Sequence, residues 1–179
     1  MIAARCFALM PQMLVLVTVL VMGLFGAPVL AETTLWGRTV SFGVLAYDDP
    51  KHPLFVGLRH KAVVGDGSEF DLRPEGAQNN IDVIPVEIDI TAERVEVRFH
   101  PAQPGWTYDS AFNGYVLSFD TECTLFHGAE IDRAFSNMDL AEDAIFFERG
   151  RLYINARDLF HDRNSRFAIN LVVGDCPVS

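Results

Sequence analysis

The chain has 179 residues, with 24 acidic against 14 basic side chains and a net charge of −10. Its two lysines, Lys51 and Lys61, and its acidic balance exclude the clustered cations that nucleic acid or an anionic membrane surface requires. The length suits one domain with a sizeable core.

Residues 1–31 read as a secretory signal peptide. Arg5 is their single charge, the apolar run "MLVLVTVLVMGLFGA" follows, and Val29 and Ala31 stand at the −3 and −1 positions of a cleavage site before Glu32. The run is near the lower length for a membrane span. Pro28 and the small-residue exit favour cleavage, so no span is expected afterwards. The expectation is an exported protein, periplasmic or extracellular, whose folded part is residues 32–179. Cys6 lies at the start of the signal and not at its cleavage point, so a lipid-modified cysteine is not expected.

After the signal, strand follows strand. "TLWGRTVSFGVLAY" alternates Leu35, Val40, Phe42 and Val44 with polar or small residues, and "YDDPKHP" then turns. "LFVGLRHKAVVGDGSEFDL" reads as a long strand or hairpin, in which "VGDGSEF" is either a bulge or a tight turn. "RPEGAQNN" is a loop. "IDVIPVEIDI" places Ile84, Val86, Ile88 and Ile90 on one face, with Pro85 marking an edge or bulge. "TAERVEVRF" sets Val95, Val97 and Phe99 against Arg94, Glu96 and Arg98. One packed face and one wet face is the pattern of antiparallel sheets.

"FNGYVLSFD" is a further strand, with Phe112, Tyr115, Leu117 and Phe119 as its apolar residues. A strand is expected near 130–135, although Ile131, Phe135, Met138 and Leu140 also fit a short helix. "AIFFERGRLYINA" reads as a hairpin bending at Glu148 to Arg151, and "RFAINLVVGDC" as the last strand. Eight to ten short strands without a strong amphipathic helix predict an all-β fold, a single antiparallel β-sandwich of jelly-roll type.

The order "VGDGSEF", "IDV…IDIT", "FNGYVLSF", "IFFERGRLYINARDL" and "FAINLVV" resembles the β-sandwich ectodomains of bacterial exported proteins of the PEP-CTERM type, over about residues 55–173. The closing "GDCPVS" has no Pro-Glu-Pro, apolar helix or basic tail, so the resemblance implies a similar domain and not surface sorting. It brings no catalytic residues.

No catalytic constellation is legible. There is no G-x-S-x-G elbow. His52, His60, His100, His127 and His161 are scattered without metal-pair spacing. Acidic pairs such as Asp48-Asp49, Asp120 with Glu122 and Glu142-Asp143 suit a solvated rim, and calcium is the ion that such oxygen-rich turns would take. No D-x-[DN]-x-[DN]-G loop supports it, and no cofactor is expected.

Two cysteines follow the signal. In an exported chain an even count favours a Cys123–Cys176 disulfide, worth roughly 4 kcal/mol in the chain-entropy model. The binding candidates Trp106, Tyr108 and Tyr115 lie in "HPAQPGWTYDSAFNGY", where they and Phe112 fall within ten residues that start in a Pro/Gly loop and run into a strand. Aromatic rings there suit a sugar or a protein partner, and packing into the core is the competing role. The expected function is a non-catalytic module of the cell envelope or exterior, binding or structural, whose partner is an envelope protein or a glycan. The alternatives are a carbohydrate-binding module using the aromatic loop and a jelly-roll lyase or hydrolase. An exposed aromatic platform would mark the first, and a deep cleft with convergent His, Arg or Glu the second.

Overall fold

Period-2 alternation of apolar residues gives most strands a core face, and their register decides what each side chain meets. The computed structural model describes residues 33–71, 77–78 and 81–174. The expected signal peptide, most of the loop expected over "RPEGAQNN" and Cys176 lie outside the described residues.

In chain order the strands are β1 (Thr39–Tyr47), β2 (Phe55–Val56), β3 (His60–Val63), β4 (Phe70–Asp71), β5 (Ala77–Gln78), β6 (Ile81–Asp82), β7 (Val86–Ile90) and β8 (Arg94–Phe99). Then come β9 (Gly105–Trp106), β10 (Phe112–Phe119), β11 (Phe126–Ile131), β12 (Ile145–Glu148), β13 (Arg151–Asn155), β14 (Phe160–His161) and β15 (Arg166–Val173). Among the described residues the helical element is one 3-10 turn, Glu142–Ala144. No helix among them is long and apolar enough to cross a membrane.

The protein is an all-β antiparallel sandwich. One sheet runs β12-β13-β10-β1-β2, with β3 also paired to β1, and the other runs β11-β15-β8-β7-β4. The chain moves between the sheets repeatedly, so long-range pairs such as β1 with β10 and β8 with β15 form each sheet's middle. The inner faces meet through Phe42 and Phe70, with ring centroids 5.3 Å apart, and through Phe119 and Phe126 at 5.6 Å. Val40, Leu117, Leu152, Ile88, Val97 and Ile169 complete the dry interior. Each such side chain contributes about 1.5–3 kcal/mol by leaving water.

Several expectations change in detail. The stretch from Leu54 to Asp71 is neither one strand nor one hairpin but the short strands β2, β3 and β4. Between β2 and β3 the Gly57 amide bonds the Val44 carbonyl, while the Leu58 amide turns aside to the Gln78 Oε1 at 2.8 Å. "VGDGSEF" is a tight turn. Gly67 takes φ +84°, and the Glu69 carboxylate accepts the amides of Gly65 at 2.9 Å and Ile90 at 2.6 Å.

The strand expected near 130–135 lies earlier, over Phe126–Ile131. Asp132 ends it: its Oδ1 accepts the amides of Ala134 and Phe135, which favours a turn over either strand or helix. Phe112 does not share the inner face with Tyr115, because the two are three positions apart and an odd offset along a strand points to opposite faces. It packs outside the sheet, stacked on Tyr47 and edge-on to Phe146 and Tyr153, and is nonetheless 1% exposed. The bend between β12 and β13 falls where expected, with Arg149 at φ 52°.

Candidate functional site: an aromatic-rimmed cleft

Register lays out the floor. Val44 of β1 pairs with Tyr115 of β10, which pairs with Ile154 of β13; one row further, Ala46 pairs with Asn113. These residues continue the inner face of one sheet toward its end. Tyr115 marks the boundary of the core, packing on Phe42 at 5.8 Å and edge-on to Phe99 of the other sheet at 6.3 Å.

Beyond that layer the sheets part and leave a cleft of about 530 Å³. Val44, Ala46, Asn113, Gly114, Tyr115 and Ala156 form its floor. Leu54 and Phe55 close one side, Ile81, Val83 and Ile84 another, and Trp106 to Tyr108 the third. Gly114 is required here. A Cβ on it would collide with the Ile154 carbonyl, so β10 and β13 approach closely only without a side chain.

The rim is positioned by a buried hydroxyl. Strand alternation turns Thr107 inward and Trp106 and Tyr108 outward, 66% and 70% exposed. The Thr107 hydroxyl donates to the Ala156 carbonyl and accepts the Leu159 amide. Pairing of β9 with β14 adds an edge-to-face contact between Trp106 and Phe160, centroids 5.5 Å apart. Asn113 donates to the Tyr108 carbonyl at 2.9 Å, tying the other end of the rim.

The three binding candidates therefore converge on one cleft in different roles. Trp106 and Tyr108 stand exposed at its mouth, whereas Tyr115 is 4% exposed and belongs to its floor. Burial pushes the Tyr115 phenol above its ordinary pKa, so it stays an uncharged donor. The aliphatic walls carry no site signal in the sequence, because nothing local in "FGVLAY" or "IDVI" shows that the opposite sheet stops covering them.

Among the described residues, the lining contains no histidine, cysteine, serine, acid or basic side chain. His52 pairs with Asp49 at 2.8 Å and His100 with Glu87 at 3.3 Å, both outside the cleft. His161 lies behind the rim, stacked on Phe99, and burial lowers its pKa. No three His, Cys, Asp or Glu side chains among the described residues are grouped to hold a metal ion. Asp120 and Glu122 line a second, polar hollow of about 440 Å³ with Arg149 and Arg151, and Asp120 also meets Lys61 at 3.4 Å.

Cys123 is half-buried beside Thr121, whose hydroxyl donates to its Sγ at 3.1 Å. The Gly174 amide bonds the Leu125 carbonyl, so the end of β15 lies along the turn that carries Cys123. Compared with protein-family models, with curated proteins and with solved structures, the chain shows no match.

Proposed function

We propose that this is an exported, non-catalytic binding module of the bacterial envelope or exterior, and that its ligand sits in the cleft at the end of the sandwich. The observation that carries the reading is the pair Trp106 and Tyr108. Two large rings kept in water at the mouth of a concave, aliphatic hollow have a clear use only when something covers them. Among the described residues the lining has no acid, base or nucleophile side chains other than Thr107 and two phenols, which supports binding over turnover. Export is supported by residues 1–31, and a Cys123–Cys176 staple by the closeness of Gly174 to Leu125.

The test uses the scarcity of tryptophan. The chain has two, Trp36 and Trp106. In a Trp36→Phe protein the emission of Trp106 should shift when a panel of polysaccharides and a solvent extract of bacterial envelopes are added. The shift should vanish when Ala46→Phe fills the cleft. Emission unmoved by every member of both sets would end the ligand-site reading. A carbohydrate-binding module is the second reading, favoured by the exposed ring faces, and oligosaccharides in the same panel address it.

A further inference from the structure

We propose that the cleft takes a free, uncharged apolar chain or ring system, of the acyl or prenyl class, with its polar end at the Trp106–Tyr108 rim. This rests on the reading of the cleft as a ligand site and adds what the ligand must be.

The walls decide it. Val44, Ala46, Leu54, Ile81, Val83 and Ile84 offer only aliphatic surface, and Leu54 and Ile81 remain about half exposed. Removing that surface from water is the driving force available to a ligand. Polar side chains in the described lining are few and in part occupied: the Thr107 hydroxyl is used as donor and acceptor and the Asn113 amide donates to the Tyr108 carbonyl, which leaves the two phenols, the indole N–H and the Asn113 Oδ1. A sugar pushed into the cleft would leave several hydroxyls without partners, and each unpaired hydroxyl costs affinity. Charge gives a second exclusion. Among the described residues no cation lines the cleft, and the protein carries −10, so a carboxylate or phosphate would meet an unfavourable field there without a partner from them.

The size agrees, since about 530 Å³ falls within the ~300–1,000 Å³ of small-molecule sites. The rim residues suit the boundary: an indole and a phenol each present an apolar body and a polar tip, which matches the junction between an apolar chain and a hydroxyl or ester end.

The Trp36→Phe protein is titrated with N-phenyl-1-naphthylamine, an uncharged probe that brightens in apolar sites. Competition follows with 1-dodecanol, sodium dodecanoate and cellohexaose, each below aggregation, and sedimentation with phosphatidylcholine vesicles. Probe emission should rise to saturation at one site while Trp106 emission changes. Dodecanol should displace the probe, dodecanoate about tenfold less well, and cellohexaose not at all. Ala46→Phe and Val83→Phe should each weaken the probe by about tenfold or more. Using two variants guards against one that fails to fold.

Cellohexaose acting where dodecanol does not would overturn the apolar class and leave the ligand site standing. Dodecanoate equal to dodecanol would overturn the exclusion of charge. Probe binding untouched by both variants, when both fold, would move it to another surface. Sedimentation with vesicles in place of dodecanol binding would assign the chain to a membrane and overturn a free ligand. Silence of probe and dodecanol together overturns the inference, while a shift of Trp106 with the envelope extract would still keep the site.

Discussion

Thr107 accepts the Leu159 amide through its hydroxyl at 2.7 Å, and this buried bond fixes the segment that carries the exposed rings of Trp106 and Tyr108. The same hydroxyl donates to Ala156, so one side chain satisfies groups from the segment that leads into β14. Thr107→Val keeps the shape and removes both bonds. It should lower stability by about 1–3 kcal/mol in urea unfolding, because two buried backbone groups lose a partner. Thr107→Ser should restore most of that loss, and Trp106 emission should follow the same order.

Gly114→Ala tests the close approach of β10 to β13. The new methyl meets backbone rather than a movable side chain, so the strands must separate. The expected cost is about 1–3 kcal/mol or more, read as a lower melting temperature. Gly65→Ala, with only the Val63 carbonyl within 4 Å at 3.8 Å, should cost clearly less.

Glu69→Ala tests whether "VGDGSEF" is structural. The carboxylate joins the turn to β7 through Gly65 and Ile90. Losing both bonds should cost about 1.5–3 kcal/mol, the range for hydrogen bonds to a charged group. Glu69→Gln, which keeps one carbonyl oxygen, should fall between the two proteins on denaturant titration.

His161 gives a pH dependence. Burial lowers its pKa from 6.5, against the smaller upward pull of the Leu159 backbone and of Asp162. The folded state therefore prefers the neutral ring, while the unfolded chain takes up a proton near 6.5. The resulting stability is whole above that value and is lost as pH falls from there toward the lowered folded value. Unfolding midpoints from about pH 8 to about pH 5 should show this loss in the parent protein and not in His161→Gln. Parallel curves would mean that His161 keeps its ordinary pKa in the fold.

The proposed Cys123–Cys176 link is tested by peptide mapping, with and without reductant, on protein from its native host. A linked pair of peptides that separates on reduction is the expected result. Replacing both cysteines by serine should cost about 2–5 kcal/mol of stability. Probe binding at low temperature should be unchanged, since Cys123 is not among the residues that line the cleft.

Where one face is dry and the other wet, the sequence was a good guide. Val86–Ile90 and Arg94–Phe99 alternate strictly and form a hairpin in register, Val86 opposite Phe99. Legibility failed where burial has other causes. Phe112 sits on the outer face and is buried there by Tyr47, Phe146 and Tyr153, so apolar character alone did not reveal its side. The region from 54 to 71 looked continuous because Gly57 and Gln78, twenty-one residues apart, divide it through bonds that no local pattern announces. For the site, the rings from Trp106 onward were visible as a cluster. Their floor was not, because the cleft depends on where one sheet ends above the other.

The divided edge beside β1 has a consequence at high protein concentration. Leu54, Val56, Leu58 and Val63 are all exposed along it and, on one straight strand, would present an adhesive row of amides and apolar side chains to a neighbouring molecule. Instead the Gly57–Arg59 interruption splits it into pieces of two and four residues, and Lys61 sits within the longer one. A passing chain finds too few consecutive partners to zip along, so the break works as a safeguard against fibril-like stacking.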